Sequence, residues 1–224
     1  MAKGMFSQGV CLLTDGQATL PVIKESLRKQ GFDIVKETKA NESWQFSGAS
    51  LLVPYRTDVN GFFSVDVVNT KWPDGMGDPK SDVTTFAAWS MGHFGPWTFP
   101  HSLKRARQHA WVWAPAESIA KGHSGFIRIR LSYGFGAADD SPVLPKNYDP
   151  HDEMNFVSRL VLAVLNAPGV LCYFNPNGEV LRDRASFSES WGEYVSKKAI
   201  PFVLGVFRSM LRRSRKSARA CLVK

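Results

Sequence analysis

The first readable unit in the hydrophobic pattern spans residues 9–37 and has the order strand, helix, strand. Gly9–Leu13 is a short apolar run closed by the turn residues Asp15 and Gly16. From Leu20 to Gln30 the apolar positions take helical spacing. Thr19 can cap this helix, Pro21 is tolerated in its first turn, and Gly31 ends it. Phe32–Lys36 alternates again and predicts a strand. Two more strands follow, Ser50–Tyr55 and Phe62–Asn69. The second sets Phe63, Val65 and Val67 on one face and Ser64 and Asp66 on the other. Trp72–Asp82 is crowded with Gly, Pro and Asp and reads as a loop.

Residues 83–115 hold four of the seven tryptophans: Trp89, Trp97, Trp111 and Trp113. Phe86–Met91 predicts a short helix, and Ser102 can cap another from Leu103 to about Trp113, which Pro115 ends. Phe126–Tyr133 is a strongly alternating strand. Ile127, Ile129, Leu131 and Tyr133 face one way, and Arg128, Arg130 and Ser132 the other. Asp149 and Pro150 open a helix reaching about Asn166, with Asp152 and Glu153 complementing its dipole and Val157, Leu160, Val161 and Val164 as its apolar stripe. Val170–Phe174 and Glu179–Leu181 flank Asn-Pro-Asn-Gly, a hairpin turn in which Gly178 is expected to accept positive φ.

Strand–helix–strand therefore occurs twice, near 9–37 and 125–181. The pattern predicts one α+β domain over residues 1–196, mainly antiparallel sheet with packed helices, built from two such halves. Residues 197–224 are set apart as a basic tail, helical or disordered.

Composition sharpens this picture. Of 224 residues, 44% are hydrophobic and 21% charged, which excludes a disordered chain. The net charge of +8 belongs to the tail: residues 197–224 carry nine Lys and Arg and no Asp or Glu. Taking those nine from the 28 leaves 19 basic against 20 acidic residues, a net of −1 for residues 1–196. A whole-protein case for nucleic-acid binding fails there. The tail itself has three readings: a membrane-surface or nucleic-acid helix, a solvated basic terminus, or an end produced by a shifted reading frame. Cys11 and Cys172 sit in apolar runs and read as small buried hydrophobes, and no Cys-x-x-Cys pair is present. With no signal-like segment and no apolar run of about 18 residues, a cytoplasmic protein is expected.

Chemistry is sparse. His93, His101 and His109 match no zinc spacing, so neither a metal nor a cofactor is expected. Asp74, Asp78 and Asp82 do not make a calcium loop. Asp139 and Asp140 are adjacent loop residues, expected to be solvated. Ser90 beside His93 lacks a nucleophile elbow. Two binding arrangements remain. Trp89, Trp97, Trp111 and Trp113, interleaved with Lys104, Arg105 and Arg107, can stack bases or clamp a peptide, or can be a core strip with a basic outer face. Asp66, Arg128 and Arg130, with Ser64 and Ser132, form either a charged platform on an open sheet face or a set of cross-strand ion pairs.

The stretches GVCLLTDG, WPDGMGDPKSD, FAAWSMGHFGPW, RARQHAWVW, GFIRIRLSYGFGA and GVLCYFNPNGEVLRD resemble bacterial proteins of the domain-of-unknown-function 4261 family. The resemblance runs from about Gly4 to Trp191 and is most distinctive from Trp72 to Trp113. That family has no established activity, so it implies no catalytic residues. Its members continue past the position of Trp191 with a mixed-composition segment, where this chain has its basic tail. That departure favours a shifted or truncated reading frame.

The leading expectation is a non-enzymatic cytosolic interaction or accessory module, its partner another protein. The alternative is a hydrolase-like enzyme using His93, His101 or His109 with Asp74 or Asp78. Attachment to nucleic acid or an anionic membrane is expected only through residues 197–224.

Overall fold

The computed structural model describes residues 6–95, 98–135 and 143–197. Trp97, Asp139, Asp140, Cys221 and residues 198–224 lie outside the described residues. The described elements, in chain order, are β1 (Gln8–Thr14), α1 (Leu20–Lys29), β2 (Lys36–Thr38), β3 (Ala49–Arg56), β4 (Gly61–Val68), α2 (Val83–Ser90), α3 (Ser102–His109), α4 (Ala116–Gly122), β5 (Gly125–Ser132), α5 (Pro150–Leu165), β6 (Val170–Asn175), β7 (Val180–Arg182) and α6 (Arg184–Lys197). This is an α+β fold. The seven strands form one sheet in the order β2-β3-β4-β5-β1-β6-β7, and every neighbouring pair is antiparallel.

Helices cover both faces of the sheet. On one face α1, α5 and α6 pack over Val10, Leu12, Phe63, Val65, Ile127 and Ile129. On the other, α2, α3 and α4 and the tryptophan loop pack over Cys11, Leu13, Phe126 and Phe174. A strand between two apolar layers buries both sets of side chains, so all seven residues of β1 are buried. Its sequence accordingly reads as an apolar run rather than an alternation.

Both strand–helix–strand units are present, as β1-α1-β2 and β5-α5-β6, with α1 packed on α5. They also meet at their turns, where the Asp15 N–H donates to the Gly169 carbonyl at 2.9 Å. Gly169 has φ +80, and a Cβ there would fall 2.5 Å from the Ala18 nitrogen. Glycine is required on both counts.

Several local expectations need correction. The second strand is Lys36–Thr38, not Phe32–Lys36, because Phe32 turns from Gly31 straight into the core against Phe156, 5.6 Å between ring centroids. What remains is a short, exposed edge strand carrying Lys36 and Glu37, a form that resists edge-to-edge pairing. Thr19 occupies the N-cap of α1 without a side-chain bond. The helix α2 starts at Val83, capped by Asp82. The helix predicted to reach Trp113 stops at His109, and α4 and α6 are additional helices. In the β6–β7 hairpin Asn175 Oδ1 accepts the Asn177 and Gly178 N–H groups, and Glu179, at φ 55, takes the left-handed conformation expected of Gly178.

Candidate functional site

The aromatic segment divides into core and surface. Trp89 is buried, 7% exposed, and its indole N–H donates to the Pro73 carbonyl at 3.1 Å. It packs edge-on against Trp72, which also touches Phe94, Phe126 and Phe174. Trp113 is half-buried against the same cluster. Trp111 is the reverse: it lies in the turn between α3 and α4 and is 84% exposed, beside an exposed Val112. Of the tryptophans named from the sequence, Trp89 therefore serves the core, and Trp111 is available to a partner.

α3 and α4 form a helical hairpin. The Arg107 guanidinium bonds Glu117 at 2.8 Å across it, and Lys121 bonds the other Glu117 oxygen at 2.9 Å. Asp74 supplies the N-terminal cap of α3, in place of the expected Ser102. Its two carboxylate oxygens accept from the Leu103 and Lys104 N–H groups at 2.8 and 3.0 Å. His101, at φ 65, makes the left-handed step into the helix, and its N–H donates to the Asp74 carbonyl.

Between the two helices lies a cavity of about 300 Å³. Lys71, Lys104, Arg107 and Lys121 line it, with Trp72, Leu103 and Ala120 as apolar wall and Asp74 and His123 as the other polar groups. His123 Nε2 accepts the Trp72 backbone N–H at 3.0 Å, and Nδ1 lies 2.7 Å from the Ala120 carbonyl. A backbone N–H only donates and a carbonyl only accepts, so His123 is the neutral Nδ1–H tautomer. Burial, and then Lys71, hold its pKa below the ordinary imidazole value. The sequence reading passed over Lys71, Lys121 and His123. They are separated by up to 52 residues from one another in the chain, and only the hairpin brings them together.

On the sheet face beneath the aromatic layer, Asp66, Arg128 and Arg130 converge as predicted. Asp66 accepts from Ser64, from Arg128 Nε at 3.0 Å and from an Arg130 nitrogen at 2.7 Å. Arg128 also donates to the His93 carbonyl at 3.1 Å, and the Arg130 guanidinium lies 4.2 Å from the Phe6 ring centre. This is not an open platform: Asp66 is 4% exposed and Arg128 is buried with it. Burial alone would raise the Asp66 carboxyl, but Arg130, Arg128 and Ser64 outweigh it and hold it below the usual range. Burial, and then Arg128, push Arg130 down to about 10. The arrangement is a cross-strand ion-pair set that anchors the second layer to the sheet.

No family model, curated protein or solved structure matches this chain.

The remaining candidates have separate partners. Asp78 folds its own loop, accepting from Lys80 and Ser81. His93 Nε2 lies 3.0 Å from the Phe46 carbonyl, and burial, then Arg128, lower its pKa to about 4. His101 and His109 are exposed at the two ends of α3. Among the described residues, no group of three or more His, Cys, Asp or Glu side chains could hold a metal ion. No described helix is long and apolar enough to cross a membrane.

Sequence reasoning also missed Glu153, taken there as a dipole partner of α5. It is 0% exposed, and its Oε1 accepts from the Tyr133 hydroxyl at 2.6 Å and the Ser7 hydroxyl at 3.3 Å. Burial pushes it up to about 7, against hydrogen bonds from Tyr133, Gln8, Ser7 and Tyr148 that favour the carboxylate. The signal was available: Glu153 stands four residues before Val157, at the head of the helix's apolar stripe.

Proposed function

We propose that this chain is a cytoplasmic, non-enzymatic interaction or accessory module of the bacterial domain-of-unknown-function 4261 family, and that the α3–α4 hairpin is the surface that meets a partner protein. The observation that carries the reading is the exposure of Trp111. Large aromatics bury their area in the core or in an interface, and tryptophan is enriched among residues that dominate binding energy. Trp111 and Val112 stand exposed at the tip of the hairpin, and the flanking helices carry Lys104, Arg107 and Lys121. That pairing of an apolar anchor with a charged rim is how protein interfaces are built.

The hydrolase-like alternative draws less support. Asp74 spends both oxygens on α3, Asp78 closes its own loop, and His93 faces a backbone carbonyl. None of these side chains bonds another among the described residues.

The test presents the immobilised full chain, and its Trp111→Ser/Val112→Ser variant, to a bacterial lysate. The expected result is a protein retained in stoichiometric amount by the native chain and lost from the folded variant. Identical retention by both, or none by either, overturns the reading.

A further inference from the structure

The cavity within the α3–α4 hairpin extends the interaction reading, on which this inference rests, to a second kind of ligand. The geometry points to a binding site for a small anion carrying two adjacent phosphoryl groups, held by Lys71 and Lys104 with Arg107 and Lys121 beside them.

The charge pattern is the first argument. Four cationic side chains line one cavity of about 300 Å³ against a single lining carboxylate. That carboxylate, Asp74, is committed to two backbone N–H groups of α3. Glu117 divides its two oxygens between Arg107 and Lys121. Lys104 has no ion pair among the described residues. Lys71 donates to the Lys121 carbonyl at 3.3 Å, a neutral acceptor. Two lysines thus face the cavity with no carboxylate of their own. Like charges gathered against an apolar wall raise the local potential for an anion.

The wall adds to the charge. Trp72, 3% exposed, packs its ring among Trp89, Phe94, Phe126 and Phe174, and with Leu103 and Ala120 it gives the cavity an apolar floor beneath the lysines. His123 does not compete for the ligand, because the Trp72 N–H and the Ala120 carbonyl occupy both ring nitrogens.

Size and overall charge select the class of anion. The volume lies at the small end of ligand sites, which suits a diphosphate group rather than a polymer. Residues 1–196 carry a net charge of −1, so the fold as a whole does not draw in a polyanion. Free pyrophosphate and a nucleoside diphosphate share the chemistry that this site reads.

The experiment titrates the full chain with inorganic pyrophosphate and, separately, with a nucleoside diphosphate, followed by calorimetry and by the melting temperature. The expected result is saturable binding that weakens about tenfold or more in Lys71→Ala/Lys104→Ala, as loss of charge-assisted hydrogen bonds requires. Lys71→Arg/Lys104→Arg is expected to restore much of it. Tighter binding of the nucleoside diphosphate identifies a nucleotide as the source, and tighter binding of pyrophosphate the free anion; either supports the site. Absence of saturable binding, or equal binding by the lysine variant, overturns it. Trp111→Ser/Val112→Ser is expected to bind pyrophosphate normally, so loss of partner retention and loss of anion binding are read on separate variants.

Discussion

Asp66 on β4 and Arg128 on β5 stand directly opposite each other in the strand register, and their side chains meet at 3.0 Å beneath the aromatic layer. Arg130, two residues along on the same face, shares the same carboxylate oxygen. One buried carboxylate thus holds one buried and one part-buried cation, and neither guanidinium has another carboxylate among the salt bridges of the described residues.

Asp66→Asn is therefore expected to cost about 3–5 kcal/mol, because it strands the buried Arg128 and the part-buried Arg130. Adding Arg130→Met is expected to recover part of that loss, since it removes one stranded charge and keeps an apolar stem. Urea unfolding of the full chain measures both. A single variant that loses less than about 1 kcal/mol would show that the cluster does not hold the layer.

Glu153 makes stability depend on pH in the opposite sense to an ordinary carboxylate. Its folded pKa is raised, from 4.5 to about 7, so folding favours the neutral acid. Its contribution is fully present below 4.5 and is lost as pH rises through about 7. Glu153→Gln is expected to flatten that loss, gaining on the native chain as pH rises across this window. Parallel denaturation curves at each pH check it; a constant gap between the two proteins contradicts the assignment.

His93 works on the acid side. Its folded pKa is lowered from 6.5 to about 4, so its contribution is present above 6.5 and falls away as pH drops toward 4. His93→Gln is expected to remove this acid-side slope in the same series of curves.

For His123 the expectation is spectroscopic. Nitrogen chemical shifts are expected to identify the Nδ1–H tautomer and to show the ring protonating at lower pH than a free imidazole, as its burial requires. A ring that protonates as readily as a free imidazole, or an Nε2–H tautomer, would be incompatible with the Trp72 N–H bond.

The two tryptophans of opposite burial separate core from surface. Trp72→Ala is expected to cost about 3–5 kcal/mol through the cavity left among Trp89, Phe94, Phe126 and Phe174. Trp111→Ala is expected to stay within about 0.5 kcal/mol of the native chain. Thermal unfolding distinguishes them.

The amino-acid sequence by itself determined the elements whose periodicity is strong and local. These are β1, α1, β4, β5, α5 and the β6–β7 hairpin, each placed within a residue or two by alternation, helical spacing and turn residues. It also set the apolar face of each strand correctly: Phe63 and Val65 on β4 and Ile127 and Ile129 on β5 lie in one core. It placed β2 too early, because Phe32 fits an alternating strand equally well as a core plug. It joined α3 to the Trp111–Trp113 turn, because nothing local marks the stop at His109.

Tertiary structure alone decided which polar residues are covered. Ser64, Asp66 and Arg128 read equally as an open charged face or as cross-strand ion pairs, because charge is costly to bury, and only a second helical layer over a set of partners decides for the buried ion pairs. It also assembled the cavity, since Lys71, Lys104 and Lys121 come from three separate segments and meet only when α3 and α4 pack. Local pattern encodes which face of an element is apolar. What lies over the other face depends on contacts between residues far apart in the chain, and these have no period in the sequence.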